Sequence, residues 1–258
     1  MTEHIDEKMP VTSHLEELRT RLVRILAAIG IGFVACYGFK EKLFEVLTIP
    51  LANVLPEQSY MIFTSLPEAF FTYLKVSFLA SIFLTSPYIL FQIWRFISPG
   101  LYSKEKRHAV PFVIFSTIFF IGGALFAYFL VFPLGFKFFV AFGTDTIKPM
   151  ISIREYLSFS MKLLIAFGVI FELPIFMFFL GRIGLVQSNT LITKRKFAIL
   201  LVFVIAALFT PPDVVTQCLM AVPLIMLYEI SIWVVKLGEK KPAPAEEESE
   251  ERDSEEKK

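Results

Sequence analysis

Between Arg107 and Lys137 the chain carries no formal charge apart from a possible proton on His108. From Ala109 to Phe136 it is almost wholly apolar. A bilayer's hydrocarbon needs only about 20 such residues wound as a helix. A run this long is hard to place in a soluble core, so the solvent for much of the chain is lipid. Apolar surface then needs no special explanation, and every charge inside a span does.

Composition agrees. Charged residues make up 19% of the chain and hydrophobic residues 55%, whereas soluble domains are about a quarter charged. The net charge of +1 hides an asymmetry: Glu246 to Lys258 holds eight acids and three bases, a local charge of −5, which leaves +6 on the rest. So polar a segment cannot bury a core and is expected to be disordered. Three zones follow: a flexible N-terminus over 1–12, a transmembrane domain over 13–236 and an acidic tail over 237–258. The first residues (Glu3, Asp6, Glu7) lack the basic, then apolar, then small pattern of a cleavable signal peptide. Cys36 and Cys218 sit in apolar runs without metal-ligand spacing and read as small hydrophobes.

The fold class expected is an all-α membrane protein of six transmembrane helices. The spans fall near Leu22–Phe39, Phe70–Ile93, Ala109–Phe132, Tyr156–Leu180, Phe197–Phe209 and Val214–Val235. Basic residues orient them. Twelve lysines and arginines, among them Arg19, Arg95, Arg107 and Arg195, gather on one side, against five on the other. The positive-inside rule then puts both termini in the cytoplasm. The two long outer loops are oddly apolar (Leu43, Phe44 and Val46; Phe136, Phe138 and Phe139) and read as interfacial helices. The fifth span has only 13 residues from Phe197 to Phe209, about 20 Å of helix against about 30 Å of hydrocarbon. Ser152 and Glu155 have capping-box spacing, which predicts the start of the fourth span.

Few residues offer chemistry. Ser13 and Glu16 also form a capping box, which leaves Glu17 without that task. Glu17 either pairs with Arg21 one turn on or binds something else. Glu105 follows Ser98-Pro99-Gly100 and Ser103, in the first turn of the next helix, where an anion suits the macrodipole. Two carboxylates held apart on one membrane face suit a ligand with two guanidinium groups, because arginine pairs bidentately with carboxylate and lysine does not. Glu172 lies mid-span beside Pro174, which cannot donate to the Ile170 carbonyl. An acid at that depth faces the bundle interior or water, and here it is read as the one polar group at depth. Asp213 is placed to cap the sixth span. Thr210 and Gln217 are polar at the outer end of the last hairpin and are expected to bond to a neighbouring helix. Glu229 lies near the inner interface, within reach of Lys194, Arg195 or Lys196. No Gly-rich phosphate loop, paired catalytic groups or metal-ligand set appears, so no cofactor and no enzymatic step are expected.

Several segments, in order, carry a resemblance. His14-Leu15-Glu16-Glu17-Leu18-Arg19, Phe96-Ile97-Ser98-Pro99-Gly100-Leu101-Tyr102 with Glu105-Lys106-Arg107, Ala166 through Pro174, and Thr210-Pro211-Pro212-Asp213 with Gln217 resemble the TatC family. That family is the polytopic core of the twin-arginine protein translocase. The resemblance runs from about Thr12 to Lys236. It implies a cytoplasmic site for the paired arginines of a signal peptide, with Glu17 and Glu105 in contact and Arg19 and Phe96 nearby. It implies that Glu172 is the family's intramembrane glutamate, and that Thr210 and Gln217 belong to the patch where the single-span partners TatA and TatB dock. A glove-like six-helix shape, a homo-oligomeric receptor complex in a prokaryotic plasma membrane and transport driven by the proton-motive force are implied likewise. Nucleic acid has no place in it. The rival reading is a proton- or ion-coupled secondary transporter with Glu172 as coupling site and Pro174 breaking the helix. The absence of an inverted repeat speaks against it.

Overall fold

A computed structural model describes residues 11–56, 61–97, 109–144 and 149–239. In chain order the helices are α1 (Val11–Tyr37), α2 (Lys40–Ala52), α3 (Glu68–Ile97) and α4 (Ala109–Phe126). One π-helical turn, Ala127–Val131, leads α4 directly into α5 (Phe132–Val140). Then come α6 (Ile153–Phe171), α7 (Leu173–Arg182), the short α8 (Ser188–Thr193), α9 (Arg195–Phe209) and α10 (Val214–Gly238). Two short strands, β1 (Met61–Ile62) and β2 (Ile151–Ser152), pair in parallel.

Five stretches are long and apolar enough to cross a membrane: Ser13–Tyr37, Glu68–Ile97, Val110–Val140, Ile153–Arg182 and Val214–Gly238. With α9 they make the six spans expected. Helix α9 has 15 residues, about 22 Å at 1.5 Å per residue, and stays short of the hydrocarbon thickness. It stops where Pro211 and Pro212 can donate no N–H. Asp213 then starts α10 as expected, accepting from the Thr216 amide at 2.7 Å and from the Thr216 hydroxyl. Six crossings bring the first and last helices back to one end, called here the near end. The other is the far end. The expected tail boundary at 237 shifts: α10 continues to Gly238, and Glu239 accepts from the Ser188 amide and, at 3.0 Å, from the Ser188 hydroxyl. Residues 240–258 and the first ten lie outside the described residues.

The core gathers where α3, α4, α5, α6 and α10 meet, around Phe132, Leu157, Phe167 and Met220, all almost fully buried. Close approach of α4 to α6 rests on glycine. A Cβ at Gly123 would stand 2.5 Å from the Phe167 backbone oxygen. Helix association in lipid depends on such van der Waals contact between small residues, since lipid tails are as apolar as leucine.

The far end is tied by polar contacts. Pro50 lies inside α2 and cannot donate to the Val46 carbonyl one turn back. The Tyr128 hydroxyl, on the π-helical turn, donates to that oxygen at 2.5 Å. The Tyr156 hydroxyl donates to the next carbonyl, Leu47, at 2.5 Å. Two spans thus hold the bend of α2 by adjacent carbonyls. The first outer-loop helix is accordingly docked, with Leu47 and Leu51 buried. The second is present as α5 but is continuous with the third span.

Glu68 ties the two far loops. Its Oε2 accepts from the Thr64 amide at 2.6 Å, the Thr64 hydroxyl at 3.0 Å and the Ser65 amide at 3.2 Å. Its Oε1 accepts from the Arg154 amide at 2.9 Å and the Ser152 hydroxyl at 3.2 Å. Here two expectations are corrected. Ser152 stands at the N-cap of α6 but makes no side-chain cap bond, because its hydroxyl is drawn to Glu68. Ser13 lies within α1, which begins at Val11, so Ser13-Glu16 is not an N-terminal capping box.

Candidate functional site

Helix periodicity puts Ser13, Glu16, Glu17, Thr20, Arg21 and Arg24 on one face of α1. With Arg95 of α3 they line a near-end cleft of about 400 Å³. Its centre is Glu17. Arg21 donates to Glu17 Oε1 through Nε at 2.9 Å and again through Nη2. The third nitrogen of the same guanidinium, Nη1, donates to Gln92 Oε1 of α3 at 3.2 Å. Arg21 is buried, at 8% exposure, so the pair is more than a surface i,i+4 contact. Its apolar stem lies inside and its head bridges two spans.

Glu17 Oε2 faces His14 Nδ1 at 4.0 Å. The His14 ring stacks on Phe96, with centroids 4.4 Å apart and planes 14° from parallel. Phe96 therefore reaches the site through His14. Arg19 does not: two residues from Glu17, it falls some 200° around the helix, is exposed, and is absent from the cleft lining. Glu105 lies outside the described residues. The cleft itself brings three arginines against two glutamates, so an incoming cation competes with Arg21 for Glu17.

Deeper in the bundle, Glu172 sits at the break between α6 and α7, where Pro174 enters the first turn of α7. Its Oε1 is buried and, among the described residues, has no hydrogen-bond partner. The carboxyl is nevertheless not the one polar group at its depth. The Ser116 side chain of α4 faces it, and Trp94 Nε1 of α3 donates to Ser116 Oγ at 2.7 Å. Trp94 is held in turn among Phe112 and Phe179, at centroid distances of 5.1 and 5.2 Å.

At the α9–α10 hairpin, Gln217 Nε2 donates across to the Phe203 carbonyl of α9 at 3.0 Å, as expected. Thr210 instead donates to the Ala206 carbonyl of its own helix at 2.9 Å. Glu229 pairs with Arg195 Nη2 at 2.7 Å, one of its three anticipated partners.

The family model described as "Sec-independent protein translocase protein (TatC)" matches residues 13–223. The chain belongs to the TatC family. The Sec-independent protein translocase protein TatC of Desulforapulum autotrophicum is 54% identical over 249 residues, spanning 96% of this chain and 92% of that one. The TatC of Magnetococcus marinus is 46% identical over 94% of this chain and 89% of its own. A crystal structure of the twin arginine translocase receptor TatC superposes with a TM-score of 0.79 at 43% identity, covering 87% of this chain and 99% of that one. The TatC fold is thus a multi-pass, six-span membrane protein, and the chain is a component of a protein translocase rather than a member of a known enzyme family.

Four residues that organise this TatC-family chain carry weak sequence signals. Glu68 closes a Ser65-Leu66-Pro67-Glu68 capping pattern. Tyr128 is a single polar atom in an apolar run, and Tyr156 is one hydroxyl among the polar residues Arg154, Glu155, Ser158 and Ser160. Ser116 is one more small residue in a span, and only its spacing of seven from Gly123 marks it as facing α6.

Proposed function

We propose that this TatC-family chain is the receptor of a twin-arginine translocase. It sits in a prokaryotic plasma membrane with both termini in the cytoplasm and recognises the paired arginines of signal peptides on folded cargo. The supporting observation is Glu17, whose carboxylate lies in a near-end cleft and already holds a guanidinium. Arg21 donates to it with two nitrogens, an arrangement that a lysine ammonium cannot reproduce. One arginine of the peptide takes the place of Arg21 or joins it through Oε2. Glu105 receives the other, on the match of Glu105-Lys106-Arg107 to the family's segment. The basic residues gathered at the same end favour the cytoplasmic assignment.

Recognition is followed by insertion and assembly, without covalent chemistry. The apolar segment of the signal peptide slides into the bundle toward Glu172. Partner helices of the TatA and TatB type dock near Thr210 and Gln217, where the Gln217 amide keeps its oxygen as an acceptor after donating to Phe203. Several copies gather in the receptor complex. Six helices cannot enclose a pore wide enough for a folded protein, so passage needs the larger assembly, driven by the proton-motive force.

The test is transport of a folded twin-arginine reporter into inverted membrane vesicles that hold this chain with its single-span partners. Uptake that needs the gradient, and that stops when both reporter arginines become lysine, is the result expected. Uptake indifferent to the arginines would refute the reading.

A further inference from the structure

Hydroxyl groups in these spans mostly turn back on their own helix. Ser77, Ser81, Ser86 and Ser231 donate to carbonyls three or four residues earlier, at 2.6 to 2.8 Å. Thr85 and Thr117 do the same, at 2.7 and 2.8 Å. Ser116 is fully buried and is engaged differently. An indole N–H is a donor only, so the Trp94 bond of 2.7 Å uses the Ser116 oxygen as acceptor. The hydroxyl proton is then left to point elsewhere, and the side chain facing it is Glu172. Three spans meet here: Trp94 of α3 donates to Ser116 of α4, and the Ser116 hydroxyl, its proton unused by that bond, faces Glu172 at the α6–α7 break.

The backbone on both sides of this contact is fixed. Phe120, one turn from Ser116, lies against Gly168, one turn before Glu172. Gly123, two turns from Ser116, allows no Cβ against Phe167. The aromatic box of Phe112 and Phe179 holds the indole. A carboxyl that takes the free Ser116 proton on one oxygen would have one favoured rotamer, and Oε1 is buried without a partner among the described residues. An orphaned acceptor at this depth is costly in the resting molecule.

We infer that Trp94 and Ser116 are positioning residues that hold the Glu172 carboxyl in one orientation, with Oε1 presented to a hydrogen-bond donor on an apolar segment entering the bundle. The inference deepens the receptor reading and rests on it for the identity of the incoming segment.

Infrared difference spectroscopy on the whole chain in lipid nanodiscs tests the positioning, with the Glu172 band assigned by its loss in Glu172→Gln. Ser116→Ala should shift or broaden that band. Replacing Trp94 by its benzothienyl analogue, which keeps the shape and lacks the N–H, should shift it less. Ser231→Ala, which removes a buried hydroxyl bonded to its own helix, should leave it in place. A Glu172 band untouched by Ser116→Ala, or moved equally by Ser231→Ala, overturns the inference. In the vesicle transport assay Ser116→Ala should lower the rate at least threefold while leaving peptide binding unchanged, and Ser116→Thr should recover most of it. A shifted band with an unaltered transport rate would overturn the functional half. Failure of the receptor reading shows separately, as arginine-independent transport by the unsubstituted chain.

Discussion

The Pro50 bend gives a prediction whose sign depends on a second residue. Pro50 deprives the Val46 carbonyl of its helical donor, and the Tyr128 hydroxyl supplies another at 2.5 Å. A hydrogen bond of this kind contributes about 0.5–1.5 kcal/mol net. Val46 is exposed at the edge of the bundle, so a central value of about 1 kcal/mol is appropriate for Tyr128→Phe. For a chain of this size that is about 2–4 °C in melting temperature. Pro50→Ala restores the amide that an uninterrupted helix would aim at Val46. In the Pro50→Ala background the tyrosine hydroxyl is therefore no longer needed, and the cost of Tyr128→Phe should fall to a few tenths of a kcal/mol. The coupling is read from a four-member double-mutant cycle, by thermal unfolding of each purified variant in the same detergent. Equal losses for Tyr128→Phe in both backgrounds would refute the reasoning, because the hydroxyl would then be contributing something other than the bond Pro50 cannot make. Tyr156→Phe supplies an internal comparison. Its partner carbonyl is buried, so its loss should be larger, about 1–3 kcal/mol.

Three further outcomes follow from the packing and the polar ties. Gly123→Ala places a methyl 2.5 Å from the Phe167 backbone oxygen and should cost about 1–3 kcal/mol, whereas Gly122→Ala meets nothing within 4 Å and should be near neutral in the same unfolding assay. Glu68→Gln replaces a carboxylate that accepts five bonds by an amide that cannot accept them all. Hydrogen exchange at the Thr64, Ser65 and Arg154 amides should speed up together, and independent behaviour of the two loops would contradict the tie. Glu172→Gln should spare arginine recognition and weaken the later assembly steps, as measured by peptide binding and by co-purification of partner helices; equal loss of both would count against that division.

The membrane class, the six spans and the Pro174 break were all legible, because each rests on a strong local signal: a long uncharged run, or a residue that cannot donate. The Asp213 cap and the Glu229–Arg195 pair were legible for the same reason. What escaped was tertiary. Ser152 has the spacing of a capping box, yet its hydroxyl goes to Glu68, a residue 84 positions away in sequence. Ser13 is not at the helix start because α1 begins at Val11, directly after Pro10, whose place as a start signal competes with the Ser13 spacing. The Glu17–Arg21 pair was predictable from spacing, but its burial was not. That depends on Gln92, which only the packing of α3 against α1 brings within 3.2 Å. Ser116 shows the same limit, since its importance lies in which face of α4 meets α6 and in an indole from a third helix. Arg19 shows the converse. The motif that resembles the family's places it beside Glu17 in sequence, and helix geometry turns it to the opposite side.

The central claim is recognition of paired guanidinium groups at Glu17 and Glu105, and equilibrium binding tests it most directly. A labelled twin-arginine signal peptide and its twin-lysine variant would be titrated against the purified chain in detergent, alongside the Glu17→Gln, Glu105→Gln double variant. The account predicts arginine-selective binding weakened by at least tenfold on the lysine swap, about 1.4 kcal/mol, with the selectivity lost in the double variant. Binding that ignores both the lysine swap and the two substitutions would contradict it.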